Sequence, residues 1–222
     1  MARSTACIAS ALVACLFLLG CDASPTREPP SPFPEPTAGA VRMAAVGDSI
    51  TDGDSIDLAS GRPGPQSWVS YAVGSDVEFV GGWAEWGATT ERMAESVRGP
   101  LDADVLVILA GTNDAGWIEH EQIGANLERI AEKADVDTVL LSSVPPIDSA
   151  SSSTTELNAY LEHLAAEQGW AWVDAAAGLR NSEGERFAEG MSYDGVHPTE
   201  QGARVLGEAI GEAVVEAADQ SV

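Results

Sequence analysis

Val105-Leu106-Val107-Ile108-Leu109-Ala110 is apolar at every position and runs directly into Gly111-Thr112-Asn113-Asp114. A strand apolar on both faces belongs at the centre of a parallel sheet covered by helices on either side. Working outward, Arg42–Val46, Val77–Val80, Thr138–Leu141 and Trp170–Val173 read as four further strands. Helical patterns lie between them. Ile118, Ile123, Leu127, Ile130 and Ala134 form one stripe of period 3.6, and Leu157, Tyr160, Leu161 and Leu164 form another. Ser153 and Glu156 are spaced as a capping box for the second. A last helix over Glu200–Ala217 turns Val205, Leu206, Ala209, Ile210 and Val214 inward, with Thr199 as its N-cap. This alternation predicts an α/β domain over residues 41–218, a three-layer α/β/α sandwich around a central parallel sheet. In such sheets ligands gather beyond the carboxyl ends of the strands.

Two residues at those ends bear chemistry. Gly47-Asp48-Ser49-Ile50-Thr51 follows the strand at Arg42–Val46 and holds a serine at a sharp turn, while Asn113 follows the central strand. Serine is a weak nucleophile without a base and an orienting carboxylate. Asp194-Gly195-Val196-His197, ahead of Pro198 and the last helix, offers both within one short loop. The remaining histidines fit worse: His120 begins a helix beside Glu119 and Glu121, and His163 lies inside one. No Gly-x-Ser-x-Gly elbow surrounds Ser49, which argues against a conventional α/β-hydrolase.

These three segments, in this order, resemble the SGNH or GDSL-type hydrolases, and the resemblance extends over most of Val41–Val214. It implies a flavodoxin-like α/β/α fold and serine ester hydrolysis without cofactor or metal. It implies Ser49 as nucleophile, His197 as general base and Asp194 as the group that fixes the imidazole tautomer. An oxyanion hole would then come from the Ser49 and Gly87 backbone N–H groups and the Asn113 amide. Gly81 and Gly82 compete with Gly87 for that role; Gly87 is preferred because Gly87-Ala88-Thr89-Thr90 precedes a helical stretch. Asp48 and Asp114 are expected to hold the loops rather than react.

The N-terminus reads as an export signal. Arg3 is a lone positive charge, and Ile8 to Leu19 is an apolar core of about 12 residues, short of the roughly 20 needed to span a membrane. Leu18-Leu19-Gly20-Cys21 resembles the lipobox of bacterial lipoproteins, so residues 1–21 are read as a signal whose Cys21 becomes lipidated; an ordinary secretory signal and an uncleaved anchor are the alternatives. A second site at Cys15 would leave Leu16–Leu19 exposed. Cys7, Cys15 and Cys21 all fall in this leader, so cleavage at Cys21 leaves one cysteine and no intrachain disulfide. Residues 22–40 carry Pro25, Pro29, Pro30, Pro32, Pro34 and Pro36, a semi-rigid spacer between an anchoring membrane and the domain. The expected location is therefore outside the cytoplasm.

The chain has 35 Asp and Glu against 11 Lys and Arg, a formal charge of −24. That balance repels nucleic acid and anionic lipid surfaces and favours solubility. Asp52, Asp54 and Asp57 lack the glycine and terminal glutamate of a calcium loop and read as solvated. Trp83, Trp86 and Trp117 fall in loops expected around the site, where they either stack on substrate or pack as core; Trp68, Trp170 and Trp172 read as core. With no large insertion to form a lid, short acyl esters are expected, including acetyl groups on extracellular carbohydrate. A non-catalytic binding lipoprotein and an acyltransferase on the same fold are the competing readings.

Overall fold

The computed structural model describes residues 35–220. The leader, Cys21 and most of the proline spacer lie outside them. Five parallel strands form one sheet in the order β2-β1-β3-β4-β5, where β1 is Val41–Gly47, β2 Val77–Ala84, β3 Val105–Leu109, β4 Thr138–Ser142 and β5 Ala171–Val173. All five residues of β3 are buried, as an apolar run on both faces requires. The helices are α1 (Ser49–Asp52), α2 (Val69–Ala72), α3 (Thr90–Ser96), α4 (His120–Ala134), α5 (Ser151–Gln168) and α6 (Glu200–Gln220). Helix α6 packs against α2 on one side of the sheet, and α3, α4 and α5 pack in sequence on the other. This is the expected α/β/α sandwich.

Strand β2 runs four residues past its expected end at Val80. Gly81 and Gly82 carry it on, and Val80 is an extra residue, because Met43 pairs with Phe79 while Ala44 pairs with Gly81. A Cβ at Gly82 would lie 1.9 Å from the Ala45 carbonyl oxygen, so only glycine lets the strands approach there. Two local expectations fail. Helix α5 begins at Ser151, so Ser153 lies inside it and no capping box forms with Glu156. Ile118 precedes α4 and is 38% exposed, whereas Ile123, Leu127, Ile130 and Ala134 are fully buried. Thr199 caps α6 as expected, its Oγ1 accepting from Gly202 N at 3.2 Å.

The sheet order reverses direction at β1, placing β3 beside it rather than β2 alone. The ends of β1 and β3 therefore flank the switch point, where a crevice opens between diverging connections.

Candidate active site

At the end of β1 the chain turns sharply. A Cβ at Gly47 would meet Leu109 O at 2.7 Å and clash with the Thr51 side chain, so glycine allows the close approach to β3. Asp48 caps the one-turn helix α1, its Oδ1 accepting from Ile50 N at 2.9 Å, and the turn closes at Gly53 in the left-handed region. Ser49 is thereby fixed as the first residue of α1. Its Oγ lies 2.9 Å from His197 Nε2.

His197 comes from the loop ahead of α6. Asp194 organises that loop, its Oδ1 accepting from Val196 N at 2.9 Å and His197 N at 2.7 Å while Oδ2 meets His197 Nδ1 at 2.7 Å. An ionised carboxylate only accepts, so Nδ1 carries the proton and Nε2 is left to accept from the Ser49 hydroxyl. Ser192 Oγ donates to His197 O at 2.7 Å and accepts from Gly195 N at 2.9 Å. Asp148, after β4, anchors the same loop: its N–H donates to Gly195 O and its Oδ1 accepts from Phe187 N, each at 2.9 Å. The other histidines are elsewhere, His120 against the Tyr160 ring and His163 paired with Glu167 on the surface.

The third wall is the turn after β3. Asp114 accepts from Thr90 N and Thr90 Oγ1, the latter at 2.8 Å, and buried Asn126 of α4 donates to the same hydroxyl at 3.1 Å. This ties the turn to the start of α3. Asn113 Nδ2 donates to Ala88 O at 2.9 Å and reaches Asp48 Oδ2 at 3.4 Å. Gly87, with φ of 71°, sits in the turn before α3, while Gly81 and Gly82 are strand residues paired with β1. Among the described residues neither the Ser49 nor the Gly87 N–H has a hydrogen-bond partner.

Burial shapes the charges. Asp48 is wholly buried, and desolvation pushes its carboxyl up to about 6 despite the Ile50 N–H bond. Burial also raises Asp114 against its bonds to Thr90. At Asp194 desolvation pushes up, but the bonds from His197 and Val196 outweigh it and hold the carboxyl below the usual range. The loop aspartates disperse rather than converge: Asp57 caps a 3₁₀ turn and pairs with Arg62, while Asp52 accepts from the Trp86 indole. Among the described residues no cluster of three or more His, Cys, Asp or Glu could hold a metal.

Trp86 and Trp117 are 48% and 88% exposed, so neither is core; Trp83 packs partly buried, Trp68 is fully buried, and Trp170 and Trp172 are only partly so. Three clefts of about 300–360 Å³ lie on other surfaces, and none includes Ser49, Asn113 or His197. The sequence did not foretell Trp86 and Tyr193 against the imidazole, or Asp148 behind its loop. Asn126 had left one signal, a polar residue on the buried face of α4.

A family model described as GDSL-like Lipase/Acylhydrolase family matches residues 45–205. An acetylxylan esterase from Xylanibacter ruminicola is 25% identical over 222 residues, covering 82% of this chain and 45% of that relative, so the chain spans less than half its length. A GDSL-like lipase from Bacteroides thetaiotaomicron superposes with a TM-score of 0.61 at 23% identity, over 81% of this chain and 92% of the other. A catalytic mutant of an acetylxylan esterase from Geobacillus stearothermophilus gives a TM-score of 0.65 at 18% identity, over 80% and 96%. At such identities the solved structures speak for the fold.

Proposed function

Because the chain belongs to the GDSL-like lipase/acylhydrolase family, we propose that it is a serine carboxylester hydrolase acting on short-acyl esters, with Ser49, His197 and Asp194 as its triad. The observation that carries this is the unbroken pair of contacts, 2.9 Å from Ser49 Oγ to His197 Nε2 and 2.7 Å from His197 Nδ1 to Asp194 Oδ2. Ser49 Oγ attacks the ester carbonyl carbon while Nε2 takes its proton. The carbonyl oxygen becomes an oxyanion facing the Ser49 and Gly87 N–H groups and the Asn113 amide. His197 then protonates the leaving alcohol as the tetrahedral intermediate collapses to an acyl-enzyme. Water repeats the sequence: His197 takes its proton, the hydroxide adds, and Ser49 leaves with the proton returned. Asp194 stays ionised throughout and favours the imidazolium.

Small acyl groups are favoured because residues 41–218 carry no large insertion to form a lid over Ser49. The acetylxylan esterase relative supports acetylated carbohydrate as the substrate class. Work outside the cytoplasm on a lipid-anchored tether is part of the proposal and rests on residues 1–40; loss of metabolic palmitate labelling in Cys21→Ser tests it. Fluorophosphonate labelling decides the chemistry. Wild type should take the label and Ser49→Ala should not; labelling that survives the substitution rejects the nucleophile. Among acetyl, butyryl and decanoyl esters the acetyl ester should turn over fastest.

A further inference from the structure

Trp86 touches three segments of the site. Its indole Nε1 donates to Asp52 Oδ1 at 2.8 Å, and Asp52 is the last residue of the helix that Ser49 begins. Its ring lies against the His197 imidazole, with centroids 5.2 Å apart and planes inclined by 26°. Its backbone leads directly into Gly87. Tyr193 lies against the same imidazole, at 5.8 Å and 12°. A tryptophan 48% exposed is not held by packing alone, so its bond to a carboxylate sets where the ring stands.

We propose that Asp52 and Trp86 are a positioning pair that keeps the His197 imidazole aimed at Ser49 and stabilises it while it carries a proton. The proposal rests on the triad reading above. The face of an indole ring is electron-rich and attracts cations, so it favours imidazolium over neutral imidazole. A carboxylate accepting from the indole N–H polarises the ring and strengthens that attraction. Because the imidazolium exists only while the serine or water proton is in transit, the gain falls on the transition state and not on the resting enzyme. The acidic groups seen to act on the imidazole are Asp194 on its own loop and Asp48 in the β1 turn, while Asp52 bonds the indole N–H and Asp54 acts on Tyr193. Asp52 is distinguished by acting through a ring, so its contribution can be removed at the ring or at the carboxylate.

The test compares Trp86→Leu, Trp86→Phe and Asp52→Asn in the full chain, with Ser49→Ala as the zero, measuring 4-nitrophenyl acetate turnover from pH 5 to 9. Trp86→Leu should lower kcat roughly 5- to 10-fold with KM changed less than about two-fold. Its acid limb of kcat/KM should move to lower pH by roughly half a unit, because losing the ring removes support for the protonated base. Asp52→Asn should move both in the same direction by less. Trp86→Phe, which keeps a ring face and loses the N–H, should fall between wild type and Trp86→Leu. Wild-type kcat and acid limb in Trp86→Leu and Asp52→Asn overturn the proposal, as does a change confined to KM, which makes the indole a substrate contact. Asp52→Asn preserves shape, so it reads the effect even if Trp86→Leu folds poorly. Turnover persisting in Ser49→Ala rejects the triad instead, a separate result.

Discussion

Ser49 and His197 stand 2.9 Å apart, yet the segments that deliver them are anchored in opposite ways. On the serine side the supporting groups are buried: Asp48 and Asn126 are 0% exposed and Asp114 1%, and their bonds bind the ends of β1 and β3 to the start of α3 and the middle of α4. On the histidine side the side chains of His197 and Asp194 are 22% and 41% exposed, and most of the bonds holding them run between near neighbours of one loop. A hydrogen bond in a dry interior is electrostatically stronger and more costly to leave unmade than one at the surface. The serine side should therefore couple catalysis to global stability. The histidine side should be adjustable without unfolding the protein.

The largest expected effect tests the histidine side directly. His197→Ala should lower kcat by about 10⁴-fold or more with Tm nearly unchanged, read by steady-state kinetics and thermal melting. A large fall in Tm would erase the contrast between the two sides. Asn113→Ala comes next, with a loss of about 10²–10³ in kcat, as for removal of one oxyanion donor. Because Asn113 also donates to Ala88 O, this variant should lose Tm as well. A loss of only a few-fold in kcat would mean that the amide does not face the oxyanion.

Asp48 gives a pH test of the buried side. Its carboxyl lies at about 6 in the folded protein against an ordinary 3.8, so between these values the folded state holds more proton than the unfolded one. Wild-type stability from this group is therefore greatest below pH 4 and falls by about 3 kcal/mol as pH rises past 6. Asp48→Asn does not titrate. The Tm of the variant minus that of wild type should climb as pH rises from 4 to 7, and a flat difference would remove the buried charge from the account. The smallest effects separate the sides most sharply. Asp114→Ala, which strands the Thr90 N–H and hydroxyl, should cost about 3 kcal/mol, roughly 10 °C in Tm. Ser192→Ala should cost less than about 1 kcal/mol while slowing kcat up to about tenfold. Equal costs in the two melts would show that the loop is as deeply tied to the fold as the turn.

Much of this arrangement is legible in the sequence because it is local. The apolar run of β3 marks the sheet centre, the glycine and serine after β1 mark a turn, and Asp194 lies close enough to His197 for one loop to hold both. The failures share a cause. Asn113 and Asp48 are 65 positions apart, and Trp86 meets an imidazole from the far end of the chain, so periodicity and spacing say nothing of either. The extension of β2 was hidden for a related reason. Gly81 and Gly82 look like a loop until the Ala45 carbonyl is seen to need the room. The capping box between Ser153 and Glu156 was a correct pattern at the wrong register, since the helix had already begun at Ser151.

The openness of the Asp194 carboxylate, 41% exposed, has a consequence for the medium in which the protein works. Dissolved cations reach it freely, yet the imidazole it holds stands 2.7 Å away, well inside a Debye length of about 8–10 Å at moderate ionic strength. Salt therefore leaves that attraction largely intact and damps chiefly the longer-range repulsion among the surface acids. In moderately salty water turnover should hold while the fold still stands.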